Sequence, residues 1–169
     1  MMVGIKPIET GYKGYLFRSR LEARWAVFFD TLGIEWEYEP EGYVLEDGTW
    51  YLPDFWLPYK HNYPNSGYFV EIKGREPTEA ELAAASQLAV GTGHHTWIFS
   101  GSPGKQRYFW AGRDGFVQEK VERSWEWDLP GRDLLAFQLW GIFSRWDCQE
   151  NVERAIYAAR SARFGERRR

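Results

Sequence analysis

Two acids and one ammonium group stand where the surrounding sequence is apolar, and a third acid stands beside the apolar stripe of a helix. Asp54 lies in "YLPDFWL", Glu71 and Lys73 lie in "GYFVEIKG", and Glu22 lies in "FRSRLEARWA". An uncompensated ion costs several kcal/mol to bury, so these groups either reach water or serve one purpose. On a strand, Glu71 and Lys73 share a face about 6.6 Å apart. Two carboxylates ~5 Å apart repel by about 3 kcal/mol at an effective dielectric of ~20. Three converging acids would therefore stabilise a fold poorly and would call for a cation. Each residue also has a plainer explanation. The E-x-K pair reads as a solvated sheet face, Pro53-Asp54 as a turn, and Glu22 as the acceptor of a capping box begun by Ser19.

The elements that must carry these groups follow from periodicity. Ser19 caps a helix whose apolar stripe is Leu21, Trp25, Phe28, Phe29 and Leu32, closed by Gly33. "IEWEYEPEGYVLEDGTWYLPDFWL" reads as strands, with Asp47-Gly48 as a two-residue hairpin turn needing positive φ at both centres. Pro53 makes the run an edge or a bend. In "GYFVEIKG", Tyr68, Val70 and Ile72 share one face, and Phe69, Glu71 and Lys73 the other. A second helix starts at a Thr78–Glu81 capping box and is expected to stop at Gly91. "HTWIFSG" is the next strand, and a strand–helix–strand passage predicts a parallel pair. Further on, the spacing predicts a hairpin turning at residues 113–115, a helix through "DLLAFQLWGIFSRW", and a last helix over roughly 151–164.

An acid on a leading helix, Pro-Asp after a hairpin, E-x-K on the next strand and then a crossover helix form one ordered set. On "FRSRLEARW", "YLPDFWL" and "VEIKG" the chain resembles the PD-(D/E)XK nuclease superfamily, and in particular its small phage-type members. The resemblance covers about residues 12–100. It implies an α/β fold with a restriction endonuclease-like αβββαβ core and a mixed sheet, followed by a C-terminal hairpin and helices. On this reading residues 1–169 form a single domain, with the nuclease core at 12–100 and an extension at 105–169.

The same resemblance implies a set of roles. Asp54 is the central metal ligand, Glu71 and the main-chain carbonyl of Ile72 complete the shell, and Glu22 binds directly or through water. Lys73 orients the attacking water and stabilises charge on the scissile phosphate. Hard oxygen ligands suit Mg²⁺ or Mn²⁺ as cofactor. The implied activity is metal-dependent endonucleolytic hydrolysis of DNA, in phage or mobile-element DNA processing, in the cytoplasm of a bacterial host cell, with a homodimer as one arrangement. Gln87 on the second helix is a further candidate by analogy with some relatives. Two rival readings are a non-cleaving nucleic-acid-binding module on the same fold and a nuclease subunit active only within a larger complex.

Composition and charge narrow the field. Ten Trp, ten Tyr and eleven Phe in 169 residues argue for a packed core, and the net charge of −3 alone does not suggest a nucleic-acid binder. The charge is uneven, however: residues 1–20 carry +3 and residues 151–169 carry +4, leaving −10 between them. Arg18 and Arg20 at one end, and Arg160 and Arg163 at the other, are candidate phosphate contacts, with Arg160, Arg163 and Arg167 on one helical face. Tyr12, Tyr15 and Trp56 are candidates for stacking on bases. One Cys excludes an internal disulfide and a four-Cys cluster, and no apolar run is long enough for a membrane helix. His61 and the His94–His95 pair offer too few ligands for zinc chemistry, and "GSPGK" lacks the spacing of a phosphate loop.

Overall fold

The computed structural model describes residues 7–58, 66–120 and 148–165. Strands β1 (Thr10–Tyr12) and β2 (Tyr15–Phe17) precede helix α1 (Arg20–Thr31). Then come β3 (Glu37–Tyr38), β4 (Tyr43–Val44), β5 (Trp50–Tyr51), β6 (Phe55–Pro58) and β7 (Gly67–Lys73). Helix α2 (Glu79–Thr92), β8 (Thr96–Ser100), β9 (Arg107–Ala111), β10 (Val117–Lys120) and α3 (Cys148–Ser161) complete the order. The helix expected in "DLLAFQLWGIFSRW" lies outside the described residues, as do His61 and Arg167.

The main sheet is mixed, six-stranded and ordered β10-β9-β8-β7-β6-β3. Its one parallel pair is β7–β8, joined by α2 as the crossover. Helices α1 and α3 cover one face. There Trp25, Phe28, Phe29, Ala155 and Ala159 pack with Phe55, Val70, Ile72 and Phe99. Helix α2 covers the other face, through Ala85 and Ala89 on Ile98 and Phe109, and through Leu88 on Phe69. Period-2 alternation along β7 therefore sends Val70 and Ile72 to α1, and Phe69 and Glu71 to the side of α2.

Several sequence expectations need correction. The three strands of the main sheet between α1 and α2 are β3, β6 and β7; β4 and β5 form a separate two-stranded sheet inserted among them. Their connection is not a two-residue turn. Val44 pairs Trp50, Leu45 N–H bonds to the Thr49 carbonyl at 2.8 Å, and Gly48 N–H to the Leu45 carbonyl at 2.9 Å. This is a three-residue loop in which Gly48 takes φ +81° while Asp47 does not take a positive φ. The two-residue turn with two positive φ values occurs instead at Lys13 (+48°) and Gly14 (+83°), between β1 and β2, a hairpin the sequence reading did not anticipate. Helix α2 runs through Gly91 and ends at Gly93, whose φ of +71° supplies the left-handed cap. Helix α3 starts at Cys148 and ends at Ser161, so Arg163 lies beyond it and shares no helical face with Arg160. The Ser161 hydroxyl bonds back to the Tyr157 carbonyl at 2.7 Å, and Phe164 leaves the helix line to meet Tyr12 edge-on at 6.1 Å.

Candidate active site

The ladder between β6 and β7 stops at Phe55–Val70, while β7 runs on to Lys73. Continuing that register sets Asp54 opposite Glu71 on one face, and Pro53 opposite Ile72. A proline has no N–H for the Ile72 carbonyl. The Ile72 N–H, which a continuing strand would have taken, instead donates to Asp54 Oδ2 at 2.7 Å. Pro53 therefore does two things: it ends the pairing, and it lets the next side chain turn into the gap that the missing pair leaves.

Around Asp54 four elements bring charged groups together. Asp54, Glu71 and Glu22 are all buried, at 3 %, 7 % and 7 % exposure. Asp54 Oδ1 accepts from Arg18 Nη2 at 2.8 Å. Glu71 Oε1 accepts from Lys73 Nζ at 2.7 Å, and its Oε2 from the Tyr51 hydroxyl at 3.1 Å. Glu22 reaches in from the first turn of α1, with Oε1 on the Ser19 hydroxyl and Oε2 on the Tyr38 hydroxyl, both at 2.6 Å. Lys73 also stands 3.4 Å from Glu81 Oε1, at the start of α2.

The electrostatics centre on Asp54. Burial first, then the charges of Glu71 and Glu22, hold its carboxyl well above the usual range, against the pull of the Ile72 N–H and Arg18. Burial opposes the charge on Lys73, yet Glu71 and then Glu81 overcome it and keep the ammonium protonated. Burial, and then the bond to Glu22, raise the Tyr38 phenol, so it stays a donor. Tyr51 is raised by burial and then by Glu71. The acids Glu22, Asp54 and Glu71 thus face two bonded cations, Arg18 and Lys73, and two tyrosine hydroxyls.

The sequence-derived set Glu22, Asp54, Glu71, Ile72 and Lys73 is brought together. Other candidates are not. Gln87 faces the β4–β5 loop, accepting from Asp47 N–H at 3.2 Å and donating to Asp47 Oδ2 at 3.3 Å. Arg20, Arg160 and Arg163 are exposed and touch none of the acids. Arg18, expected among the phosphate contacts, is turned inward onto Asp54. Tyr12 donates to Asp30 at 2.7 Å and Trp56 packs on Phe69 and His94, whereas Tyr15 is 44 % exposed. His94 and His95 lie at the start of β8, the opposite end of the sheet from Lys73, packed on Trp56 and Trp110.

Sequence reasoning missed Tyr38, Glu39 and Tyr51. Tyr38 was legible in principle, since alternation in "EWEYEP" points it to the face away from Glu37 and Glu39. Glu39 has φ +46°, its N–H bonds to the Asp54 carbonyl at 2.9 Å, and its carboxylate lies 2.6 Å from Arg18 Nε. That left-handed turn has no signal in the residue types.

Among the described residues no three His, Cys, Asp or Glu side chains stand close enough together to hold a metal ion as they are. The donor types fit a hard divalent ion: the carboxylate of Asp54 just before β6, that of Glu71 on the neighbouring β7, and a third from α1. Each of the three is bonded within the protein instead: Asp54 to Arg18, Glu71 to Lys73 and Tyr51, and Glu22 to Ser19 and Tyr38. Among the described residues no helix is long and apolar enough to cross a membrane. No family model matches the chain, and neither a curated protein nor a solved structure matches it.

Proposed function

We propose that this chain is a metal-dependent nuclease that hydrolyses DNA phosphodiester bonds on a restriction endonuclease-like core. The observation that carries the reading is the meeting of Glu22, Asp54, Glu71 and Lys73, from α1, the turn before β6 and β7, around one buried carboxylate. Asp54 and Glu71, with Glu22 behind them, are the groups to hold Mg²⁺ or Mn²⁺. Such an ion, when bound, supplies a more acidic water and a charge against the phosphate. Lys73 remains cationic because Glu71 and Glu81 flank it, so it brings a fixed positive charge to a developing oxyanion. The tyrosines hold the acids in orientation: Tyr38 aims Glu22, and Tyr51 aims Glu71. Phage or mobile-element DNA processing is the setting the sequence resemblance suggests.

The test is cleavage of plasmid, single-stranded and branched DNA with Mg²⁺ or Mn²⁺ by wild type, Asp54→Asn and Lys73→Ala. Metal-dependent cutting lost in both variants supports the reading. Cutting unchanged in both would assign the activity elsewhere. A second reading, a nucleic-acid-binding module that does not cut, draws on one observation: every charge of the cluster is already engaged within the protein. DNA binding without cleavage under all these conditions would favour it.

A further inference from the structure

We propose that Arg18 is an exchangeable cation, which occupies Asp54 until a divalent metal arrives and then passes to a phosphate of the DNA backbone. The inference rests on the metal-dependent reading and adds a loading step to it. Its side chain is 54 % exposed, yet its Nη2 bonds a carboxylate whose side chain is 4 % exposed. Arg18 thus joins solvent to a nearly dry acid, and its withdrawal would open Asp54 to water or to an ion.

The grip on Arg18 is built from three separate contacts. Its backbone N–H donates to the Tyr38 hydroxyl at 3.0 Å, its Nε lies 2.6 Å from Glu39 Oε1, and its Nη2 holds Asp54 Oδ1 at 2.8 Å. Only the last involves the inner acid. The side chain can release Asp54 while its backbone stays on Tyr38, so the group moves without the chain moving.

The two occupants compete for one oxygen. Asp54 Oδ2 takes the Ile72 N–H, and Oδ1 is the oxygen that Arg18 holds. A magnesium ion on Oδ1 would sit at about 2.1 Å, and Arg18 Nη2 is 2.8 Å from the same atom. The two cations would then lie within about 5 Å of each other, inside the Debye length and poorly screened. Lys73 is not the group to leave. It is 22 % exposed and stands between Glu71 and Glu81, which keep it where it is. The freed guanidinium is a planar fork suited to phosphate oxygens. Metal and DNA would thus load together, with Arg18 exchanging a carboxylate for a phosphate.

The test is Mn²⁺ affinity, by titration calorimetry on the full chain, for wild type, Arg18→Ala, Arg18→Lys and Glu39→Gln, with thermal melts as the folding check. Asp54→Asn serves as the variant that removes the site. The expected result is that Arg18→Ala binds Mn²⁺ about tenfold more tightly, in the usual range for linked sites, while cutting DNA more slowly. Arg18→Lys keeps a charge without the fork and falls between. Glu39→Gln loosens one arm of the grip and tightens Mn²⁺ less than Arg18→Ala does. Equal or weaker Mn²⁺ binding by folded Arg18→Ala, with Asp54→Asn losing it, would overturn the exchange and leave the nuclease reading standing. Tighter binding in Arg18→Ala with no cleavage of any DNA by wild type would keep the exchange and overturn the nuclease reading. No Mn²⁺ binding by wild type or by Arg18→Ala would overturn both.

Discussion

Helices α1 and α2 begin with the same sequence signal, a hydroxyl residue followed three positions on by glutamate, and the two glutamates end in opposite circumstances. Glu81 completes its capping box: Thr78 N–H donates to Oε2 at 2.8 Å, and Arg75 grips both oxygens at 2.8 and 2.9 Å. Arg75 first, and then the bonds from Thr78, pull its carboxyl down to about 2. Glu22 takes only half of the same motif. Ser19 Oγ accepts from its N–H at 3.1 Å, but the carboxylate turns away from the cap backbone to bond two hydroxyls. Hydroxyls orient a carboxylate without cancelling its charge. A shared motif thus yields a neutralised helix cap in one case, and in the other a buried charge left over for use.

The largest expected effect separates these two residues by activity. Glu22→Gln keeps the shape and the Tyr38 contact but removes the charge, and DNA cleavage should fall about 100-fold or more. Its melting temperature should hold or rise, since one of the charges repelling Asp54 is gone. Glu81→Gln should change cleavage less than tenfold. Parallel cleavage rates and thermal melts decide the point. Unchanged cutting by Glu22→Gln would reduce Glu22 to a helix cap and erase the contrast.

Next in size is Tyr38→Phe. Its hydroxyl donates to Glu22 Oε2 and accepts the Arg18 N–H, so its loss leaves Glu22 with the Ser19 hydroxyl alone and takes the partner of a backbone donor. The expected cost is about 1–3 kcal/mol, read from urea unfolding at neutral pH. Tyr157→Phe, at a 75 % exposed position on α3, is the control and should cost under ~0.5 kcal/mol. A cost that small for Tyr38→Phe would mean that Glu22 finds its donors elsewhere.

These residues also mark what the sequence could and could not disclose. Helix α1, the Thr78–Glu81 box, the alternation of β7 and the crossover to a parallel β8 were all legible, because each is a local pattern with a single physical meaning. An irregularity of the sheet at Asp54 was legible through Pro53, which withholds one hydrogen bond. A meeting of the acids was expected only from their order along the chain and the resemblance that order carries. The inward turn of Arg18 was not legible. It depends on a left-handed residue at Glu39 and on a pairing between β3 and β6 that spans about twenty residues. The β4–β5 loop was misread because Asp-Gly suits both a two-residue turn and the end of a three-residue one. Only the register distinguishes them.

A pH titration sharpens the comparison from the side of Glu81. Its folded pKa of about 2 lies below the ordinary 4.5. The stability it contributes is therefore full above the unfolded value, and it is lost as pH falls through the folded one. Wild type should lose about 1 kcal/mol from this group between pH ~5 and pH ~2, allowing for its partial exposure and for screening of its pair with Arg75. Glu81→Gln should be less stable by that amount at pH 7, with the difference vanishing near pH 2. A gap that persists at pH 2 would assign the contribution to packing instead of charge.

The smallest effect is expected at Gln87. Both of its hydrogen bonds run to Asp47, at the exposed tip of the β4–β5 loop, and at 3.2 and 3.3 Å they are long. Gln87→Ala should cost under ~0.5 kcal/mol. Yet the hairpin it tethers ends in Tyr51, whose hydroxyl holds Glu71 Oε2. Releasing the tip leaves Tyr51 anchored by its own burial, so cleavage and Mn²⁺ affinity should both stay within about twofold of wild type. A large loss of cleavage with stability unchanged would show that the hairpin must be held down for Glu71 to work. The site would then extend across the β4–β5 sheet to α2, instead of ending at the tyrosine.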